Sequence, residues 1–249
     1  MNYISGIFDS MSENLVIIPT YNEKENVENI VRKVFSLSVP FDILIVDDSS
    51  PDGTAAIVKT LQNEFNSLFL EVRAKKEGLG KAYTHGFKWA LQKNYQYIFE
   101  MDADLSHNPK DLPRLLEALY DDADVAIGSR YSHGVNVVNW PLTRVLLSYT
   151  ASVYARWVTG LPVKDATAGF VGYRKKVLES INLDQIEFKG YGFQIEMKYR
   201  AWVMKFRLKE ISIIFTNRVA GKSKINPGIM GEAVFGILKL RILHIFGKL

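Results

Sequence analysis

The apolar run Tyr97-Ile98-Phe99-Glu100-Met101 leads straight into Asp102-Ala103-Asp104. Two carboxylates one residue apart at the end of a strand point roughly the same way, because strand side chains repeat every two residues. Two hard oxygen ligands on one side, with coordination positions left open, suit a divalent cation shared with substrate phosphates. That chemistry belongs to phosphate or nucleotide substrates. The same short pair can instead cap a helix, with Asp104 ahead of Asn108-Pro109, and taken alone the pair favours the cap.

The neighbouring elements shift that balance. Short continuous apolar runs at 15–18, 43–46, 68–72, 97–101 and 125–127 read as buried strands. Between them, apolar residues at helical spacing predict helices over 25–37, from the turn at 49–53 through 61, over 80–91 and over 109–120. Strands alternating with helices, and apolar without alternation, imply a parallel sheet covered on both faces. The expected fold class is therefore doubly wound α/β, in which ligands bind beyond the carboxyl ends of the strands. Polar clusters occupy those ends: Thr20-Tyr21-Asn22-Glu23, Asp47-Asp48, Asp102 with Asp104, and Ser129-Arg130. Capping alone does not explain four polar strand ends in a row. Asp48 fits a binding role better, whereas Asp52 fits a turn former.

Beyond Arg130 the pattern changes. Residues 131–139 read as a loop, and 141–158 as a helix carrying Arg144, Ser148 and Arg156. Arg144 and Ser148 are four apart and share a helix face, where a guanidinium fork and a hydroxyl can grip a phosphate. A solvated helix face is the competing reading for Arg144. Residues 169–173 read as a strand, 191–204 as a helix and 209–215 as a strand. A polar, basic loop at 216–228 and a final helix complete the chain. Arg218 and Lys224 lie in that loop with Gly221 and Gly228. His107 reads as a partly exposed loop histidine rather than a metal ligand.

The chain of 249 residues is read as one domain over 1–249. Its 47% hydrophobic and 23% charged content is ordinary for a soluble protein. It has no cysteine, which excludes disulfides, thiolate metal sites and a cysteine nucleophile. A net charge of +4 is too small to imply nucleic acid. Acidic residues concentrate before residue 150. The segment after Asp184 is basic and ends with Lys239, Arg241, His244 and Lys248, which suits an anionic membrane surface. Residues 1–10 lack the pattern of a secretory leader. The longest apolar stretch, 233–246, is shorter than the roughly 20 residues of a membrane span. A helix over 231–249 could lie in a membrane interface or pack on the core.

Pro19-Thr20-Tyr21-Asn22-Glu23, then Val46-Asp47-Asp48-Ser49-Ser50-Pro51-Asp52-Gly53-Thr54, then Asp102-Ala103-Asp104 resemble a family-2 glycosyltransferase of the GT-A fold. The nearer likeness is to dolichyl-phosphate (polyprenyl-phosphate) mannosyltransferases, in the form without C-terminal transmembrane helices. Gly78-Leu79-Gly80-Lys81, Gly128-Ser129-Arg130-Tyr131, Asp165-x-Thr167-x-Gly169-Phe170, Gly190-Tyr191-Gly192-Phe193-Gln194-Ile195-Glu196 and Arg218-x-x-Gly221-Lys222-Ser223-Lys224 follow in the same order.

The resemblance implies that Pro19, Tyr21 and Glu23 hold the base and ribose, and that Val46 and Asp48 contact the base. It implies that Asp102, Ala103 and Asp104 bind a metal, Mg2+ or Mn2+, and the diphosphate. Ser106 stands where many relatives carry a glutamine that completes the metal shell. Arg130, Arg144 and Ser148 would hold the acceptor phosphate, and Arg218 and Lys224 would neutralise the leaving GDP. Asp104, Arg130 and Arg218 are thus the expected catalytic residues. The implied reaction moves mannose from GDP-mannose to a polyprenyl monophosphate with inversion, on the cytoplasmic face of a membrane. Attachment would come from the tail or from a membrane-anchoring partner subunit. A UDP-glucose-dependent glucosyltransferase for the same lipids is the closest alternative. A sugar nucleotidyltransferase ranks lower, because a Gly-rich basic signature is missing after the first strand. A subunit that has lost catalysis conflicts with the intact Asp102, Asp104, Arg130 and Arg218. No general base stands out, and Glu196 is the best candidate, with a salt bridge as its competing role.

Overall fold

The computed structural model describes residues 12–188, 190, 192–218 and 227–247, with the backbone alone over 227–233. The chain runs β1 (Asn14–Thr20), α1 (Val27–Phe35), β2 (Asp42–Asp47), α2 (Thr54–Leu61), β3 (Leu68–Val72), α3 (Leu79–Leu91), β4 (Tyr97–Glu100), α4 (Leu112–Asp121) and β5 (Val125–Ser129). It continues β6 (Val137–Val138), α5 (Leu142–Thr159), β7 (Val171–Arg174), α6 (Lys175–Ser180), α7 (Gly192–Val203), β8 (Leu208–Ser212), β9 (Phe215–Thr216) and α8 (Pro227–Ile245).

Seven strands form one sheet in the order β3-β2-β1-β4-β7-β5-β8. All neighbours are parallel except β7, which runs antiparallel to both β4 and β5. Leu15, Val16, Ile17 and Ile18 have no exposed surface, so β1 is apolar on both faces, as a central parallel strand requires. Two apolar clusters fill the space on either side, one built around Tyr83, Phe87 and Phe193 and the other around Phe41, Phe99 and Leu116. Gly172 lets β7 enter the middle of the sheet, since a Cβ there would sit 2.5 Å from the Phe99 ring.

Register brings the polar strand ends to one edge. Pro19 pairs with Val46, Thr20 with Asp47, and Ile17 with Glu100. The tips of β1, β2 and β4 therefore converge where the sequence placed a ligand.

Three local expectations change. The segment expected as one strand over 209–215 breaks after Ser212. Ile213 donates its N–H to Ser129 O at 3.1 Å, and Phe215 then turns away to bond Asn136 O at 3.0 Å. The loop expected over 131–139 contains β6, which pairs with β9 in a separate two-stranded sheet. The final helix starts earlier than expected, with Pro227 at its first position, where a missing N–H costs nothing.

Candidate active site

The acidic pair lies just beyond β4, not on it, because the strand ends at Glu100. The chain then turns, with Leu105 at φ 61. Asp104 Oδ1 accepts the Ser106 N–H at 3.1 Å, so its turn is local. Asn108 takes the helix-capping role that competed for Asp104, accepting the Lys110 N–H at 3.2 Å. Asp104 is buried, whereas Asp102 keeps 36% of its side chain exposed. The surrounding protein and the Asp104 charge push the Asp102 carboxyl up to about 7, while Arg218 pulls the other way. A divalent cation would relieve that repulsion, so the pair fits one. Among the described residues no group of three or more His, Cys, Asp or Glu could hold a metal. Two carboxylates are therefore what this turn could offer a divalent cation. Ala103 points its methyl into the core and can offer a diphosphate only its backbone.

His107 departs from its expectation as a partly exposed residue. It is buried between the rings of Phe170 and Phe215, at centroid distances of 4.9 and 5.2 Å. Its Nδ1 accepts the Asp102 N–H at 3.2 Å, which leaves the proton on Nε2. Burial lowers its pKa to about 4. It fixes the shape of the acidic turn as a neutral ring.

On the donor side, Asp47 is committed to structure. It accepts from Thr20 Oγ1 at 2.8 Å and from the Ser50 N–H and hydroxyl at 2.8 and 2.6 Å. Asp48 is buried against Arg73, whose Nη1 lies 3.1 Å from Asp48 Oδ1. Burial raises the Asp48 carboxyl and the Arg73 charge opposes that rise. Asp52 is the turn former expected, accepting the Thr54 N–H at 3.0 Å and the Lys24 N–H at 3.1 Å. Glu23 is buried and accepts from Asn26 Nδ2 at 2.8 Å. The Tyr21 ring carries Lys76 Nζ at 4.1 Å from its centroid. Pro19 is half-buried, and Val46 is wholly inside the core, so Val46 can form only the floor beneath a base. Sequence reasoning missed Arg73 and Lys76. The basic run Arg73-Ala74-Lys75-Lys76 directly after β3 was the available signal.

The basic side is organised by pairing. Arg218 Nη2 lies 2.9 Å from Asp104 Oδ2, joining the expected catalytic cation to the acidic turn. Arg130 is nine-tenths buried. Its Nε donates to Asp165 Oδ2 at 2.7 Å, and its Nη2 donates to Asp165 Oδ1 at 2.6 Å and to Thr167 Oγ1 at 2.8 Å. This fork positions the loop over 165–169. Lys198, fully buried, donates to Ala168 O at 2.6 Å and Gln194 O at 3.0 Å, bracing the same loop from α7. Neither Asp165 as the partner of Arg130 nor Lys198 was singled out from the sequence.

Arg144 lies on α5 with its guanidinium 4.0 Å from the Trp140 ring centroid and Nη1 donating to Asn217 Oδ1 at 3.1 Å. Ser148 follows one turn later, half-buried on the same face. Lys224 lies outside the described residues, as do Gly221, Lys222, Ser223 and Tyr191.

Glu196 does not fill the role of a base. Its Oε1 pairs with Arg200 at 2.9 Å, and its Oε2 accepts the N–H groups of Glu187 and Phe188 at 3.1 and 3.2 Å. Of its two readings from sequence, the geometry gives the ion pair.

A parallel sheet with one antiparallel insertion, an acidic turn at its carboxyl edge and arginines beside it define a sugar-nucleotide-dependent transferase of the GT-A type. The chain belongs to glycosyl transferase family 2, whose family model matches residues 15–181. It is 45% identical over 225 residues to an undecaprenyl-phosphate mannosyltransferase of Micrococcus luteus, covering 90% of this chain and 92% of the relative. It is 46% identical over 224 residues to a polyprenol monophosphomannose synthase of Mycolicibacterium smegmatis, covering 90% of this chain and 84% of that one. Its fold is similar to that of glucosyl-3-phosphoglycerate synthase from Mycobacterium tuberculosis in complex with Mn2+, UDP and product. That likeness has a TM-score of 0.65 at 13% identity, over 94% of this chain and 80% of the other.

Proposed function

We propose that this enzyme transfers mannose from GDP-mannose to a polyprenyl monophosphate, giving a β-linked mannosyl phosphate lipid. The observation that carries this reading is the two-sided character of α5. Arg144 and Ser148 share the face that continues into buried Ser152, Ala155 and Thr159. Leu142, Leu146, Tyr149, Val153 and Trp157 recur at helical spacing on the opposite, exposed face. A phosphate grip inside and an apolar stripe outside suit an acceptor that is a phosphate on a lipid.

The same logic extends to α8. Ile237 and Leu240 pack inward and the His244 ring meets Tyr199 OH at 2.7 Å, while Val234, Phe235, Leu238, Ile242, Ile245 and Phe246 face outward. The inward side supports the core-packing reading of this helix, and the outward apolar side supports the interfacial one. The Arg241 and His244 side, expected to face lipid headgroups, turns toward the protein. Tyr154 OH donates to Val234 O at 3.1 Å and holds the two helices side by side. No helix among the described residues is long and apolar enough to cross a membrane. The paired stripes support peripheral attachment to a membrane surface.

The chemistry needs little from a base. A lipid phosphate has a second pKa near 6, so it is largely dianionic at pH 7. Its oxygen attacks the anomeric carbon as the GDP diphosphate leaves from the opposite side, which inverts the configuration. Asp102 and Asp104 would hold Mg2+ or Mn2+, which supplies charge neutralisation to the diphosphate. Arg218 adds its own charge there, and Lys224 has the same role by resemblance. Arg144 and Ser148 orient the acceptor phosphate, with Arg130 supporting the loop beneath it. On the donor side, Asp48 can accept guanine N–H groups and Tyr21 can stack on the base.

The test supplies isotope-labelled GDP-mannose or UDP-glucose, each with a polyprenyl phosphate, with Mg2+, Mn2+ or a chelator. The expected result is organic-soluble label from GDP-mannose alone, abolished by the chelator. Label from UDP-glucose alone would reassign the donor. No lipid-linked product from either would overturn the proposal.

A further inference from the structure

The side chain of Asn217 stands between Arg144 and Arg218. Its Oδ1 accepts Nη1–H of Arg144 at 3.1 Å and the backbone N–H of Arg218 at 3.1 Å. Both partners are donors, so the oxygen edge of the amide is the one turned toward them. The backbone around Asn217 is anchored on two further sides. Its own N–H donates to Val138 O at 3.1 Å, in the β6–β9 ladder. The N–H of the preceding Thr216 donates to Ser106 O at 3.2 Å, within the acidic turn. Arg218 then reaches Asp104 Oδ2 at 2.9 Å. A continuous path thus runs from Arg144 through Asn217 and Arg218 to Asp104.

We infer that Asn217 is a positioning residue that holds the acceptor-side Arg144 at a set separation from Arg218 and the acidic turn. The inference rests on the proposed reaction. Direct displacement requires the acceptor oxygen and the leaving diphosphate on opposite sides of one carbon, with reacting atoms about 3–3.5 Å apart. The two charges that orient those groups sit on different segments, α5 and the stretch that follows β9. Nothing in either segment alone fixes their spacing. Trp140 lies against the Arg144 guanidinium, and the Asn217 oxygen directs its Nη1–H toward the segment that carries Arg218. A misplacement of order 1 Å costs roughly 100-fold in rate.

Asn217→Ala removes the shared acceptor, whereas Asn217→Asp keeps an oxygen in the same place. Steady-state kinetics are measured with GDP-mannose and polyprenyl phosphate for the wild type, Asn217→Ala, Asn217→Asp, Arg144→Gln and the Asn217→Ala/Arg144→Gln double variant, with GDP binding followed by calorimetry. Asn217→Ala is expected to lower kcat/KM for the lipid by about 10- to 100-fold, with GDP affinity held within about threefold. Asn217→Asp should recover most of the loss. In the Arg144→Gln background the alanine change should add little, because the arginine that it positions is gone. A general loss of packing would instead add to the Arg144→Gln effect and would not be rescued by aspartate. Normal lipid kinetics in Asn217→Ala, full additivity, or failure of aspartate to rescue overturns the inference. Absence of lipid product from the wild type refutes the proposed reaction itself, so the two failures are distinct.

Discussion

Arg218 Nη2 and Asp104 Oδ2 lie 2.9 Å apart, so a cation from the segment after β9 and a carboxylate of the acidic turn form one charged unit. Before donor binds, Arg218 offsets part of the repulsion between Asp102 and Asp104. In the proposed reaction the same guanidinium would stand beside the diphosphate and add its charge to that of a metal held by Asp102 and Asp104. Arg218→Ala should therefore lower kcat by about 100- to 1,000-fold, the cost of one preorganised charge donor. GDP binding should weaken far less. Turnover and GDP calorimetry on the same preparation check this, and equal losses in both would show that Arg218 serves ground-state binding only.

Arg130 and Asp165 make a stability prediction with a definite sign. Burial alone would raise the Asp165 carboxyl, but the charge and hydrogen bonds of Arg130 hold it below the usual range. A depressed native pKa contributes stability that is present above the unfolded value of about 3.9 and lost as pH falls through the native one. Arg130→Leu leaves a buried carboxylate unpaired and should cost about 3–5 kcal/mol near neutrality. It should also invert the pH response, because an unpaired buried carboxyl has a raised pKa. The variant should melt higher at pH 5 than at pH 7. Urea unfolding across that range tests both statements, and a variant no less stable at pH 7 than the wild type would count against the pair.

The apolar face of α5 should govern attachment and leave chemistry alone. Trp157 is 82% exposed, and burying a large apolar side chain is worth about 1.5–3 kcal/mol. Trp157→Ser should thus weaken sedimentation with anionic lipid vesicles by about tenfold. Activity on a short, water-soluble polyprenyl phosphate should stay near wild type. Unchanged vesicle binding in Trp157→Ser combined with Leu146→Ser would remove α5 from the membrane face.

Glu196→Gln separates a structural carboxylate from a base. Its oxygens are taken by Arg200 and by two backbone N–H groups. The amide keeps one acceptor but ends the ion pair, so the melting temperature should fall while kcat drops only a few-fold. Loss of turnover with normal melting and normal GDP-mannose binding would mean that the acceptor does need a base.

The sheet edge was readable because its determinants are local. Continuous apolar runs marked β1, β2 and β4, and their polar tips marked the edge where these strands converge. Asp52 was readable for the same reason, since its partners Thr54 and Lys24 come from the turn it closes. What escaped depends on distant partners. Arg130 looked like a free phosphate grip because Asp165 lies 35 residues away. Asn217 looked like part of a basic loop because Arg144 lies 73 residues away. β6 and β9 are two residues each, too short for any periodicity, and form only because they meet. His107 read as exposed because Phe170 and Phe215, which enclose it, arrive from elsewhere in the chain.

The anomeric configuration of the lipid product tests the central claim most directly. Purified enzyme, GDP-mannose, Mg2+ and a polyprenyl phosphate should yield one new lipid, heavier than the acceptor by a single hexosyl group. The carbon–proton coupling at its anomeric centre should identify a β-mannosyl phosphate, as one displacement from the α-linked donor requires. An α-linked product, or mannose released to water with the lipid phosphate unchanged, would contradict direct attack by the acceptor phosphate.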